Sequence, residues 1–564
     1  MKLFNLNLKT IGQILFVIVF FFTSPAKSMD KFNSAERISN YFSGTLLLNE
    51  NKYEKSFNFL KKLNGLEISH INYSIKFLYS LVNSGNLKEA FNYAKKLEKQ
   101  KLDSFESHLI MGVFHLRNSE IDLAQEYFLK AKLSNTRFIL NKYVSSSIYN
   151  WSDLDNHDLN QAVIKLEKLD ERFENLKNIQ KVLLHCYFNS SNTNILFKEL
   201  TSNKKIDFSR YNYFYASYVA TSGKTEKAED IVKSALRLHP RNLLLNQYKI
   251  DLKEGKNTLN FNCKNKANVV AEIFYVASNA LSSQAIYPLS NFYLNLAKYL
   301  NKDFMSYDAL LAENFYKIDN FDEAKKIYKN LSKKGKAFLW YSSKQMARIY
   351  IKEENKKKAL ELMSTAYNNL SSKDYYETFD YAEFLKNNEK FKESIPYYTK
   401  IINEVKKNHA LFAESTDGRG VAYERLGEWD KAEKDLLASL EADLDQAYVI
   451  NYLAYTWIEK GIKIKESLNM LEKANKLRTN DPYITDSLGW ALFKLKRYEE
   501  SKSYLQLAVK LMPGDPIVND HYGDVLWKNG KEIQARYYWN YVLGLEKTED
   551  ELKKILKKKL VKGL

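Results

Sequence analysis

A chain of 564 residues is too long for one ordinary globular core, so it forms either several domains or one long repetitive object. With 45% apolar and 27% charged residues it has the make-up of a folded chain, and 7 prolines and 18 glycines over that length favour helices. The net charge of +18 comes mostly from lysines interleaved with Asp and Glu along the whole chain, which reads as solvated helix faces and argues against a nucleic-acid partner.

The first element in chain order is a leader. Lys2 and Lys9 precede an apolar run over residues 11–22, and "TSPAKS" then places Ala26 and Ser28 like the small residues of a cleavage site. The run is shorter than the ~20 residues a bilayer span needs. Residues 1–28 therefore read as a secretory signal cleaved near Ser28, with a periplasmic mature chain. An uncleaved anchor in the inner membrane is the alternative. Cys186 and Cys263 are the only cysteines, which excludes a disulfide-built scaffold. They read as two buried free thiols, with a single disulfide as the alternative in an oxidising compartment.

From there the chain repeats. A small residue recurs at Ser56, Ala90, Ala124, Ala162, Ala228, Ser290, Ala324, Ala359, Ser394, Ala432, Ser467, Ser501 and Ala535. Most steps are 34 or 35 residues, and the two long ones, of 66 and 62, each leave room for a degenerate unit. In a 34-residue frame these residues are position 20. Gly489, Leu492, Leu505, Ala508 and Pro513 then fall at positions 8, 11, 24, 27 and 32, and Gly523, Leu526, Trp539 and Val542 repeat the first four. Separations of three and four residues are helical. Small residues at 8 and 20 suit two helices in close contact, residues at 11, 24 and 27 fill the core between them, and Gly near 15 (Gly85, Gly223, Gly530) turns the chain. Residues 29–255 form a first array, irregular around 133–206. A polar break at 256–303 reads as an irregular helical junction, 304–549 as a second array, and 550–564 as a basic capping helix or tail.

This pattern resembles the tetratricopeptide repeat, a helix–turn–helix unit, over nearly the whole chain. The resemblance implies an all-α fold of roughly 15 units stacked into a right-handed α-solenoid. "GRGVAYERLGEWDKAEKDLLASLE", "DSLGWALFKLKRYEES" and "NDHYGDVLWKNGKEIQARYYWNYVL" look like secreted tetratricopeptide proteins of alphaproteobacteria. That likeness implies an envelope location and a binding role, and it supplies no catalytic residues. It also implies that positions 2, 5, 9, 12 and 13 line a concave groove. In this chain those positions hold Asp417, Glu424, Arg425, Asn451, Tyr455, Asp486, Trp490, Phe493, Asp520, Asp524, Trp527 and Lys528. The family's peptide-carboxylate clamp uses Lys, Arg and Asn there. Asp dominates here, beside aromatics, which suits a peptide with apolar anchors and basic groups. The alternative for Trp490 and Trp527 is packing between units.

Other motifs carry less. "SGKT" at 222–225 lacks the Gly a phosphate loop needs five residues earlier, where Tyr218 stands. His108 and His115 share a helix face without further ligands, and no metalloprotease or hydrolase motif occurs, so no catalytic, cofactor or metal site is expected. In the tail, Leu552, Ile555, Leu556 and Leu560 form a stripe among lysines. That stripe suits a cap on the solenoid, with weak contact to an anionic membrane surface as the alternative. The expected function is a non-catalytic scaffold of the cell envelope that binds a protein or peptide. The alternative is an accessory subunit or substrate-recruiting arm of an envelope enzyme system for exopolysaccharide, peptidoglycan or glycosyl transfer.

Overall fold

A computed structural model describes residues 35–134, 138–202, 206–256, 260–370 and 373–564; the leader lies outside these. The described residues hold 30 α-helices and no strand. They pair into fourteen antiparallel hairpins, with two single helices, Leu243–Lys253 and Asp550–Lys562. The chain divides into two compact units, Met1–Leu362 and Met363–Leu564, within the helix Lys356–Asn368.

The repeat frame holds in both units. No position-20 residue from Ser56 to Ala535 is more than 4% exposed. Position 8 faces position 24 of the same hairpin: a Cβ on Gly489 would lie 2.7 Å from Leu505 Cγ, and one on Gly44 2.6 Å from Leu60 Cδ2. Where position 20 is Ser, its hydroxyl can bind the carbonyl at position 8. Ser56 Oγ donates to Gly44 O at 2.7 Å, Ser290 Oγ to Ser278 O at 2.8 Å, and Ser501 Oγ to Gly489 O at 2.7 Å. In the hairpin Ala447–Glu459/Ile464–Leu477 the turn is one residue longer. Lys463 takes a left-handed φ of 48° in addition to Gly461 at 68°, and the Ser467 hydroxyl is left without a partner.

The turn itself is constant. Position 15 has positive φ in thirteen of the fourteen hairpins, yet it is Gly only at Gly85, Gly223, Gly427, Gly461 and Gly530. Ser119, Ala285, Asp319, Glu354, Glu389 and Lys496 adopt the same conformation despite its cost to residues with a Cβ. The exception is Ile139–Ser152/Leu159–Glu167, where a 3-10 turn at Leu154–Asn156 replaces it. Two second helices in this part of the chain are short, at 9 residues each, Leu159–Glu167 and Thr193–Thr201.

Residues 256–303 are not a junction between two arrays. Gly255 sits at position 15 of a unit whose first helix is Leu243–Lys253, but no second helix follows. The chain instead leaves the stack and returns as the hairpin Lys266–Ser283/Tyr287–Leu300, which packs onto the first helices Ile71–Asn83, Phe105–Arg117 and Ile139–Ser152 of its own unit. Asn291 Nδ2 donates to Tyr53 Oη at 3.0 Å and Tyr293 Oη to Asn141 Oδ1 at 2.8 Å. Phe292 stacks on Tyr79 with centroids 4.6 Å apart. Phe292, Tyr293 and Leu296 are at most 1% exposed, and each contributes about 1.5–3 kcal/mol by burial. Two further ties hold the crossing. Arg210 forks onto Glu272 at 2.9 and 2.8 Å while its guanidinium lies 3.8 Å from the Tyr275 ring centroid. Cys186 and Cys263 form a disulfide across 77 residues, in place of the two free thiols expected. A thiol pair that looks isolated in sequence is brought together because the chain must cross at that point.

The last helix, Asp550–Lys562, caps the second unit. Leu556 is fully buried, and Leu552 and Leu560 pack beside it against Trp539 and Val542. Most of the tail's apolar stripe is thereby covered within the fold, leaving Ile555 at 44% exposure. Among the described residues no helix is long and apolar enough to cross a membrane.

Candidate protein-binding groove

The candidate groove lies in the second unit, on the first helices Ala410–Arg425, Ala447–Glu459, Pro482–Lys494 and Pro516–Lys528. Two of these start on the same signal. Asp481 and Asp515 each accept hydrogen bonds from the second and third helical N–H groups, and a proline opens the helix. This sets the register of the residues that follow.

Position 5 carries a side-chain acceptor in all four helices: Asp417, Asn451, Asp486 and Asp520. Their surroundings differ. Asp520 accepts from Lys559 Nζ at 2.7 and 2.9 Å, and Lys559 also reaches both oxygens of Asp524 at 2.7 and 2.8 Å. Trp539 Nε1 donates to Asp524 as well, at 3.0 Å. Asp486 Oδ2 accepts from His521 Nδ1 at 2.9 Å, while Asp486 Oδ1 is buried without a partner. Asn451 Oδ1 is likewise buried without a donor. Asp417 has no hydrogen-bond donor among the described residues; burial and the charges of Glu383 and Glu414 push its carboxyl up to about 6 against the pull of Lys386.

The ionisable groups at the capped end are coupled. Burial and the neighbouring Asp520 charge push Asp524 up to about 6, with Lys559 pulling it back. His521 is 6% exposed, and burial alone would lower its pKa. The Asp486 carboxylate outweighs that and raises it, favouring the charged form of the ring beside Asp486. Tyr455 is pushed above the usual tyrosine range by burial and then by Glu459, Asp486, Asp515 and Asp520, which marks a convergence of negative charge.

The remaining predicted groove residues divide into two sets. Glu424 accepts from Tyr452 Oη at 2.7 Å, Arg425 and Lys528 are exposed, and Phe493 is half-buried. Trp490 is 7% exposed; it donates Nε1 to Glu459 at 2.6 Å and stacks between Phe493 and His521, with centroids at 4.7 and 3.9 Å. Trp527 lies against Trp539, 5.5 Å between centroids, under the Arg536 guanidinium. Both tryptophans therefore pack between elements. Asp520, Asp524 and Trp527 lie under the C-terminal helix. The pattern of groove positions did not single out His521, Glu459 or Lys559. His521 occupies position 6 and Lys559 comes from outside the repeats, so the 34-residue frame carries no signal for either.

Elsewhere, His108 pairs with Asp103 at 2.8 Å, and His115 pairs with Glu120. Among the described residues no group of three or more His, Cys, Asp or Glu is placed to hold a metal ion. Gly223 of "SGKT" is a turn residue with φ 75°.

Stacked helical hairpins with this frame define a repeat protein of the tetratricopeptide class, and residues 301–548 match the family described as tetratricopeptide repeat. Over those residues the chain carries the tetratricopeptide repeat, and proteins of that class act as protein-interaction scaffolds and are generally non-catalytic. A tetratricopeptide repeat-containing protein of Pseudomonas aeruginosa is 32% identical over 76 residues, which is 14% of this chain and 13% of that protein. Among solved structures, one titled YrrB, a tetratricopeptide protein with an unusual peptide-binding site, is 17% identical and covers 35% of this chain and 97% of that one, with a TM-score of 0.28. MamA of Desulfovibrio magneticus RS-1 is 18% identical over 31% of this chain and 97% of that one, with a TM-score of 0.28. The Cut9–Hcn1 hetero-tetramer structure is 14% identical over 94% of this chain and 98% of that one, with a TM-score of 0.38.

Proposed function

We propose that this protein is a non-catalytic binding scaffold of the cell envelope, and that its partner protein lies along the first-helix face of the second unit. The observation that carries this is the difference between the units. In the first, the face of the first helices Ile71–Asn83, Phe105–Arg117 and Ile139–Ser152 is filled by the chain's own hairpin Lys266–Ser283/Tyr287–Leu300. In the second, the stretch from Asp417 to Phe493 keeps buried acceptors without donors beside half-buried aromatics. The envelope location is supported by the Lys2, Lys9, Ala26 and Ser28 leader pattern and by the Cys186–Cys263 pair, which suits an oxidising compartment.

A photo-reactive residue in place of Phe493 should cross-link a protein in living cells. The same residue in place of Leu437, 43% exposed on a second helix, should not. Cross-linking from Leu437 and none from Phe493 puts binding on the opposite face. The location is tested by fractionation: the chain should be released with the periplasm and begin just after Ser28.

A further inference from the structure

Position 5 of four successive repeats presents a row of acceptors, and the fold itself provides an occupant for the last. Lys559 enters from outside the repeat frame and satisfies all four carboxylate oxygens of Asp520 and Asp524. Its ammonium also lies 5.8 Å from the Trp539 ring centroid. The three preceding acceptors are served less fully, and the one donor among them is His521, which reaches Asp486 Oδ2 alone. Asp486 is only 5% exposed and its Oδ1 has no partner. Asn451 Oδ1 is in the same condition, and Asp417 is held among Glu383 and Glu414. Buried acceptors without donors cost free energy, and a native fold that keeps two of them in register, at Asn451 and Asp486, leaves them for something that brings N–H groups.

We propose that the first-helix face from Asp417 to Asp486 takes an extended partner segment bearing lysine or arginine side chains, whose cationic nitrogens supply the donors these residues lack, as Lys559 does for Asp520. This rests on the groove reading above and specifies its partner. Several basic groups on or beside this face already have partners, Arg419 forking onto Asp435 and Arg425 lying 3.5 Å from Glu424. Lys386 pairs with Glu383 at 2.7 Å, and Lys494 lies 4.7 Å over the Trp490 ring centroid. The aromatic rings of Tyr452, Tyr455 and Phe493 provide apolar contact for the long aliphatic stems of such side chains. The chain as a whole carries +18, so a polycation is repelled by most of its surface, and capture of one reports a local acidic site.

The test uses the full chain and a fluorescein-labelled deca-lysine peptide, read by anisotropy at low salt, with deca-glutamate as the opposite charge. Deca-lysine should bind and deca-glutamate should not compete with it at this face. Asp417→Asn combined with Asp486→Asn should weaken binding about tenfold or more and flatten its salt dependence. Glu499→Gln, which removes an exposed charge on a second helix, should leave it within about twofold. Asp417→Asn alone keeps the test valid if the double variant unfolds, and it should weaken binding by several-fold. The proposal is overturned if deca-lysine does not bind, or if Glu499→Gln weakens it as much as Asp417→Asn does. A protein captured at Phe493 without deca-lysine binding leaves the scaffold reading standing and removes this one. Asp417-dependent deca-lysine binding without any captured protein supports the cationic site and counts against the scaffold.

Discussion

Gly489→Ala tests the repeat frame at one of its close interior contacts. The added Cβ would lie 2.7 Å from Leu505 Cγ, 2.8 Å from Leu505 Cδ2 and 3.2 Å from Leu505 N, all short of ordinary contact. Leu505 is fully buried among Tyr522, Val525 and Trp539, and one of the three clashing atoms is backbone, so the second helix must shift. Overpacking of this kind costs about 1–3 kcal/mol. Alanine returns about 1 kcal/mol in helix propensity, leaving a net loss of up to about 2 kcal/mol. In a unit of this size that lowers the melting temperature by roughly 4–8 °C. The control is Gly514→Ala, where nothing lies within 4 Å of the new Cβ. The assay is thermal unfolding of the full chain, followed by tryptophan fluorescence, to which the second unit contributes five of the 7 tryptophans. A Gly489→Ala protein that melts with the parent or above it refutes the claim that position 8 is set by contact with position 24.

Four further outcomes are expected. Asp417→Asn should stabilise the second unit at pH 7.5 by up to about 3 kcal/mol, because a carboxyl raised to about 6 pays for its charge above that pH. The gain should shrink between pH 6 and 4 and vanish below the unfolded-state value near 3.9, which urea titrations at several pH values will read. Lys559→Ala leaves Asp520 and Asp524 buried without a counter-charge and should cost about 3–5 kcal/mol, seen as lost hydrogen-exchange protection over 550–562. Reducing the Cys186–Cys263 bond, which closes a 77-residue separation, should cost the first unit about 4 kcal/mol and leave the second unchanged, as exchange protection over 266–300 against 447–528 will report. Lys496→Gly relieves a φ of 63° and should gain up to about 1 kcal/mol in chemical denaturation.

The fold was legible wherever one residue type answered one steric demand. A small residue at position 20 marks close helix contact, and it can be followed from Ser56 to Ala535 through every regular unit. The turn was only partly legible, since positive φ at Glu354, Glu389 and Lys496 is imposed by the two helices on either side and leaves no trace in residue choice. The crossing at 256–303 could be seen only as a break. Its partners, Tyr53, Asn83 and Asn141, lie far away in sequence and no local period points to them. Of the groove residues, the acceptors at position 5 follow from the frame. The tryptophans do not, because a large aromatic at position 9 or 12 suits both a partner and the neighbouring repeat, and packing decides between them. Lys559 supplies charge from outside the frame and could be found only in three dimensions.

The self-filled face of the first unit also bears on how the two units reach their folds. In the second unit each hairpin touches chiefly the next, so order can grow from any hairpin and spread, and trimming a terminal repeat should fray it gradually. In the first unit the hairpin of residues 266–300 cannot dock until the helices of 71–152 have formed, and its hydrogen bonds to Tyr53 and Asn83 close loops of 238 and 205 residues. Such distant contacts come late and slow the search. The same family frame therefore yields one unit that assembles piecewise and one that must be completed to be stable, and on a ribosome the first emerges well before it can finish.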